Sequence, residues 1–243
     1  MSAHAQVERT HRWNKFASRS AFEQAAEQFI LASAEQAIAA RGHFRLVLSG
    51  GETPRRLYQS LRFAATDWSA WHIYFGDERC LPADDTARNS RMAAIAWLDQ
   101  VAIPPGQIHP IPAELGPERA AADYAERLAG VEMFDLVLLG LGEDGHTASL
   151  FPGGDWERGA GWPDAIAVQD APKPPRQRVS LSPARLSQSH RCLFLVAGAD
   201  KRDAICLWRA GAIPPASRIG ARDGVDVFFC LAHTGARFAD LCR

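Results

Sequence analysis

Phe134-Asp-Leu-Val-Leu-Leu-Gly-Leu-Gly-Glu-Asp-Gly-His-Thr-Ala-Ser-Leu-Phe-Pro152 decides the fold class and points to the chemistry. Its first residues are an apolar run that reads as a buried strand, and a glycine-rich turn follows at once. The turn carries Asp144 and His146, a carboxylate and an imidazole on tight backbone just past a strand end. In open α/β sheets, ligands bind outside the carboxyl ends of the strands. The stretch therefore predicts an α/β fold, a site at this strand end and His146 as a candidate general base.

Working outward, further short apolar runs read as strands: Phe44–Leu48, Trp71–Phe75, Arg178–Leu181, Cys192–Ala197 and Val225–Leu231. Helical spacing of apolar residues marks Ala21–Ala40, with further helices expected at Pro54–Leu61, Asn89–Leu98, Glu118–Leu128 and Asp200–Trp208. Strands alternating with helices predict a mainly parallel sheet with helices on both faces. The Pro-rich stretches near Ile103, Ile111 and Ala171 are short and read as loops. Residues 1–243 are therefore expected to form a single α/β domain.

Lys and Arg total 27 against 28 Asp and Glu, a net charge of −1. That balance argues against general nucleic-acid binding, which needs a basic face, but leaves room for a local basic pocket. No apolar run approaches the ~18 residues of a membrane span. The N-terminus lacks the apolar core of a signal peptide. The five cysteines include no C-x-x-C pair, a usage that fits a reducing compartment. A cytoplasmic location is the expectation, with no nucleic acid and no membrane as partner.

Phe44-Arg-Leu-Val-Leu-Ser-Gly-Gly-Glu-Thr-Pro54 is a strand, a glycine turn at Ser49-Gly50-Gly51, then a helix start. Thr53 is placed to cap that helix, with Pro54 at its first position. Bare amides at Gly50 and Gly51 suit an anion, phosphate especially. This is not a nucleotide P-loop, because no Lys follows the glycines at the required spacing. Trp71-His-Ile-Tyr-Phe-Gly-Asp-Glu-Arg79 repeats the theme. Asp77 is suited to orient a hydroxyl or a catalytic group, and Arg79 to grip a phosphate. A surface turn with a local ion pair is the competing reading. Asn89 downstream reads as a helix cap or a ligand contact.

Gly140-Leu-Gly142-Glu-Asp-Gly145 matches the dinucleotide pattern G-x-G-x-x-G literally. That fingerprint should open a full helix and lead to a second strand with an acidic end. Here only about two helical turns fit before Pro152-Gly153-Gly154, and no clean second strand follows, so a hydrolytic turn is the better reading. A neutral imidazole suits a base near neutral pH, and Asp144 can hold its tautomer as the acid does in a serine triad. Ser149 lacks the G-x-S-x-G frame of a nucleophile. Asp144 and His146 lack a third metal ligand at any recognisable spacing. Arg178 opens a strand and Lys201 follows one, so with Arg79 they are candidates to neutralise a phosphomonoester.

These blocks, in this order, resemble the 6-phosphogluconolactonase family of the glucosamine-6-phosphate isomerase/6-phosphogluconolactonase superfamily. The similar stretches are Ser49–Pro54, Phe75–Arg79 with Asn89, Gly140–Pro152, Val196–Lys201 and Ile213–Ser217. The resemblance runs from Phe44 to about Ile219. It implies a Rossmann-like α/β fold, no metal or organic cofactor, and a phosphosugar lactone as small-molecule partner of a monomer or homodimer. It also implies hydrolysis of 6-phospho-D-glucono-1,5-lactone to 6-phosphogluconate in the oxidative pentose phosphate pathway. The expected roles are catalytic for His146, Asp144 and Asp77, and substrate- or phosphate-binding for Ser49, Gly50, Gly51, Thr53, Arg79, Asn89, Arg178 and Lys201. The similar glucosamine-6-phosphate deaminases carry a Glu in an Asn-Glu-Pro run after the His; here Phe151 stands in that place. A deaminase, or a non-catalytic sugar-phosphate-binding regulator, is the alternative. The tail after Phe228 lacks the acidic, alanine-rich ending of the family.

Overall fold

The computed structural model describes residues 11–158 and 161–231. The strands are β1 (His11–Lys15), β2 (Phe44–Leu48), β3 (Trp71–Phe75), β4 (Asp77–Arg79), β5 (Ile108–His109), β6 (Phe134–Leu139), β7 (Ala165–Val168), β8 (Arg178–Leu181), β9 (Ser189–Ala197) and β10 (Val225–Cys230). The α-helices are α1 (Arg19–Arg41), α2 (Glu52–Leu61), α3 (Asn89–Ala96), α4 (Pro117–Leu128), α5 (Pro183–Ser187) and α6 (Arg202–Arg209).

Seven strands form one sheet in the order β1-β10-β9-β6-β2-β3-β5. Every neighbouring pair in it is parallel. All six residues of β6 are buried. Side chains alternate between faces along a strand, so this central strand is covered on both sides. Each fully buried Leu, Val or Phe there contributes about 1.5–3 kcal/mol. The one carboxylate in β6, Asp135, accepts hydrogen bonds from Arg41 Nη2 at 2.5 Å and from the Arg45 amide at 2.7 Å. Helix α1 packs against β2, β6 and β10. It starts at Ser18, whose hydroxyl accepts from the Ala21 amide, and stops at Gly42, whose φ of 75° ends the helix.

The strand Arg178–Leu181 departs from the expected parallel run. It is the middle of a separate three-stranded sheet, β4-β8-β7, antiparallel throughout. Asp77-Glu78-Arg79 read as a turn because charged residues rarely build a buried strand; here they continue β3 past Gly76 and pair with β8. The Leu181 amide closes the corner on the Gly76 carbonyl at 2.8 Å. The strands β1, β5 and β7 were not anticipated, being short or rich in polar residues and alanine.

Cys80, Cys192 and Cys230 are free thiols, whereas Cys206 is disulfide-bonded, which departs from a cysteine usage read as fitting a reducing compartment. Among the described residues, no helix is long and apolar enough to cross a membrane. The expectations for the first ten residues and for the tail after Leu231 lie outside the described residues.

Candidate active site

Strands β9, β6, β2 and β3 are neighbours, and the segments leaving their carboxyl ends carry Lys201, His146, Gly50 and Asp77 respectively. The chain runs outward in opposite directions from β2 and β6, which makes a topological switch point between them. A pocket of about 190 Å³ opens there. Of the residues expected at the site, Ser49, Gly50, Gly51, Asp77, Arg79, Asn89, His146, Arg178 and Lys201 line it. Thr53 and Asp144 do not.

In the first loop, the Tyr58 hydroxyl donates to the Ser49 carbonyl at 2.9 Å and accepts from the Ser49 amide at 3.1 Å. This pins the backbone from below. The Ser49 hydroxyl is buried and has no hydrogen-bond partner among the described residues. Gly51, at φ 102°, caps α2. The helix therefore begins two residues earlier than expected, and Thr53 falls inside its first turn. There Thr53 Oγ1 accepts from Arg19 at 3.3 Å, so neither the capping nor the pocket role expected of Thr53 is seen. At Gly50, an added Cβ would sit 1.9 Å from Asn89 Oδ1. Glycine lets this turn come this close to the Asn89 side chain at the start of the Asn89–Ala96 helix.

Asp77 is buried with both carboxylate oxygens engaged. Oδ1 accepts from Asn89 Nδ2 at 3.0 Å, and Oδ2 from Ser149 Oγ at 2.6 Å. Asn89 is the first helical residue of α3 and its side chain caps nothing. The capping falls to Glu78, which is fully buried. Its carboxylate accepts from the amides of Arg79, Asn89 and Ser90 at 2.7–2.9 Å and from the Ser90 hydroxyl at 2.6 Å. Arg88 approaches it to 3.5 Å. Glu78 thus ties β4 to α3 and holds Asp77, Arg79 and Asn89 in place.

Residues after Gly140 form a closed turn rather than the short helix expected. The Gly142 amide donates to the His146 carbonyl at 2.8 Å, and the Gly145 amide to the Gly142 carbonyl at 3.0 Å. Asp144 Oδ1 accepts from the His146 amide at 3.1 Å and lies 2.5 Å from His146 Nδ1. A carboxylate on Nδ1 places the imidazole proton there and leaves Nε2 as the acceptor. Burial pushes the Asp144 carboxyl upward, but the His146 hydrogen bonds and charge outweigh it, and the net direction is downward. Phe151 packs on the ring with centroids 4.5 Å apart. Gly145 lies against Pro214, which brings the Ile213–Ser217 block behind the turn. Ala148, at φ 48°, is the one non-glycine residue with positive φ among the described residues, and it lines the pocket. Such strain clusters at functional sites.

Arg79 and Arg178 face each other directly across the β4–β8 pair. Like charges in that position repel. Burial lowers the Arg178 guanidinium, Asp77 opposes that, and Arg79 lowers it further. Arg79 Nε is buried without a partner among the described residues. Lys201 Nζ lies 3.0 Å from Asp200 and 3.8 Å from Glu143. Two charged lining residues were missed in the sequence: Lys173, in a loop without periodic signal, and Glu143, hidden inside the glycine motif. Among the described residues, no group of three or more His, Cys, Asp or Glu side chains could hold a metal ion. A larger cavity, about 370 Å³, lies between Phe75, Leu98 and Ile111, away from His146.

Known proteins resemble this chain along most of its length. A 6-phosphogluconolactonase of Synechocystis is 42% identical over 184 residues, covering 70% of this chain and 73% of the relative. One from Mycobacterium leprae is 36% identical over 214 residues, covering 81% and 86%. Among solved structures, 6-phosphogluconolactonase from Thermotoga maritima superposes with a TM-score of 0.84 at 25% identity, over 91% of this chain and 100% of that one. The Trypanosoma brucei enzyme of that name gives 0.79 at 26%, over 92% and 97%. The model of the family described as Glucosamine-6-phosphate isomerases/6-phosphogluconolactonase matches residues 17–228, and the chain belongs to that family.

Proposed function

We propose that this chain hydrolyses 6-phospho-D-glucono-1,5-lactone to 6-phosphogluconate, with His146 activating the attacking water. The observation that carries the proposal is the pairing of Arg79 and Arg178 across one pocket whose other wall presents His146 on Asp144. Two facing guanidiniums call for an anion between them, and an imidazole with a free Nε2 calls for a proton to move.

The 6-phosphate binds to Arg79, Arg178, Lys201, the Ser49 hydroxyl and the Gly50-Gly51 amides. This anchor holds the lactone carbonyl near His146. Nε2 takes a proton from water as its oxygen attacks C1. Backbone donors of the turn or a nearby cation stabilise the oxyanion. The ring C–O bond then breaks, and the imidazolium returns the proton to the departing ring oxygen. Asp144 holds the ring and its tautomer. Asp77, with both oxygens committed, acts by fixing Asn89 and Ser149. General base catalysis supplies about 10²–10⁴-fold, and positioning adds the rest.

Phe151 disfavours the deaminase reading, because an apolar ring rests on His146 where that branch carries a carboxylate. The test is a coupled assay with the lactone generated in situ. Hydrolysis well above the spontaneous rate supports the proposal; a rate equal to the spontaneous one, or ammonia release from glucosamine 6-phosphate, overturns it.

A further inference from the structure

The pocket holds a cation and a carboxylate that have no part in the scheme above. Lys173 comes from the loop between β7 and β8, and Glu143 from the turn that carries His146. We propose that Lys173 is a fourth phosphate-binding cation and that Glu143 holds its ammonium group over the pocket. The inference rests on the phosphosugar reading and names a further part of the same site.

The loop is tied down from beneath. Arg178 Nη2 donates to the Lys173 carbonyl at 2.9 Å, and Arg178 Nε to the Pro175 carbonyl at 3.0 Å. The Ala171 amide closes the loop on the Arg176 carbonyl at 3.0 Å. One buried guanidinium therefore lines the phosphate pocket and also sets where the Lys173 backbone lies. The Lys173 side chain then reaches Glu143, with Nζ 3.5 Å from Oε1. The same oxygen lies 3.8 Å from Lys201 Nζ. A single carboxylate oxygen thus stands between two ammonium groups that arrive on different loops.

Both separations exceed a normal hydrogen bond, and the Glu143 and Lys173 side chains are more than half exposed. Such pairs are weak and screened by solvent. They suffice to limit where a long lysine points, yet give way when a stronger anion arrives. A phosphate monoester is that anion. Its terminal oxygens accept donors from several directions, and the four cations come from β4, β8, the Lys173 loop and the segment after β9. Among the charged residues that line the pocket, these four stand against Asp77 and Glu143, an excess of positive charge that suits a phosphate dianion. Pre-positioning Lys173 also reduces the side-chain entropy lost on binding.

A carboxylate at a phosphate site could instead act only by repulsion, and kinetics separate the two roles. Initial rates are measured for the wild type, Lys173→Ala, Glu143→Gln and the double variant. The substrates are the phosphorylated lactone and unphosphorylated glucono-1,5-lactone. Lys173→Ala is expected to raise KM for the phosphorylated substrate about tenfold with kcat unchanged, the size of one charge-assisted contact. Glu143→Gln is expected to raise it several-fold, and the double variant to be no worse than Lys173→Ala. The unphosphorylated lactone should not discriminate among the four proteins. An unchanged KM in Lys173→Ala, or a lowered KM in Glu143→Gln, overturns the inference. Inorganic phosphate titrated calorimetrically into the same proteins gives a readout without turnover. Weaker phosphate binding in both variants, with an inactive wild type, would sink the lactonase reading and keep this one. Active wild type with no change in either readout would do the reverse.

Discussion

The carboxylate oxygen Oδ1 of Asp144 serves His146 twice, accepting from its backbone amide at 3.1 Å and lying 2.5 Å from its Nδ1. One oxygen therefore fixes both the turn and the ring. The imidazole is left with Nε2 as its only basic position, on a residue that lines the cationic pocket. Replacing His146 with Ala should lower kcat by about 10²–10⁴-fold while KM changes little. Rates must be corrected for spontaneous lactone opening. Near-wild-type turnover would remove His146 as the base.

The downward direction of the Asp144 carboxyl sets a pH signature. A carboxyl held lower in the folded chain than in the unfolded one stabilises the fold fully above its unfolded value. That contribution is lost as pH falls through the folded value. The Tm gap between wild type and Asp144→Asn should therefore be present at about pH 5 and shrink below about pH 4. Thermal denaturation of both proteins across that range is the measurement. A gap that widens on acidification would mean that the hydrogen bonds to Asp144 do not favour its charged form.

Glycine at 142 is a requirement of the same pair. A Cβ there would lie 2.0 Å from His146 Nδ1 and 2.6 Å from Asp144 Oδ1. A Cβ on Gly140 would meet nothing within 4 Å. Gly142→Ala should lower kcat about 10²-fold, the effect of displacing a reacting group by an ångström. Gly140→Ala, two residues away in the same motif, should stay close to wild type. Equal behaviour of the two variants would show that the motif's glycines serve the turn rather than the imidazole.

Glu78 carries the other side of the site. Its buried carboxylate takes four donors and faces Arg88 at 3.5 Å. Glu78→Gln turns one oxygen into a donor that meets donors, and leaves Arg88 with Glu114 as its remaining carboxylate. Breaking a buried pair in this way costs about 3–5 kcal/mol. Thermal unfolding should show a loss of about 10 °C, and KM should rise because Arg79 and Asn89 lose their amide anchor. A variant as stable as the wild type would show that the Arg79, Asn89 and Ser90 amides find other acceptors.

The parallel core was legible because buried parallel strands are apolar throughout, as Phe44–Leu48 and Phe134–Leu139 are, and because glycines mark their ends. The pocket was legible for the same reason, since the site loops follow directly from those strands. What the sequence concealed depends on partners distant along the chain. Asp77-Glu78-Arg79 has the composition of a turn and becomes a strand only because β8 pairs with it. Thr53 has the chemistry of a cap, and Gly51 displaced it by adopting a positive φ. Lys173 carries no local signal, and its place is set by the hydrogen bonds of Arg178 to the loop backbone.

Ser149 distinguishes water attack from an acyl-enzyme route. Its hydroxyl donates to Asp77 at 2.6 Å in a buried setting, so its proton is directed to a carboxylate that the imidazole does not share. A serine nucleophile needs its proton directed to the base. Ser149→Ala should therefore keep kcat within about tenfold of wild type, whereas loss of a true nucleophile costs well over 10³-fold. The variant leaves Asp77 Oδ2 without that donor, which costs about 1–3 kcal/mol of stability. At this chain length that is a fall of several degrees in Tm. Pre-steady-state kinetics add an independent check, because water attack gives no burst and an acyl-enzyme does. A collapse of kcat with a wild-type burst would assign the attack to Ser149 and return His146 to the role of its base.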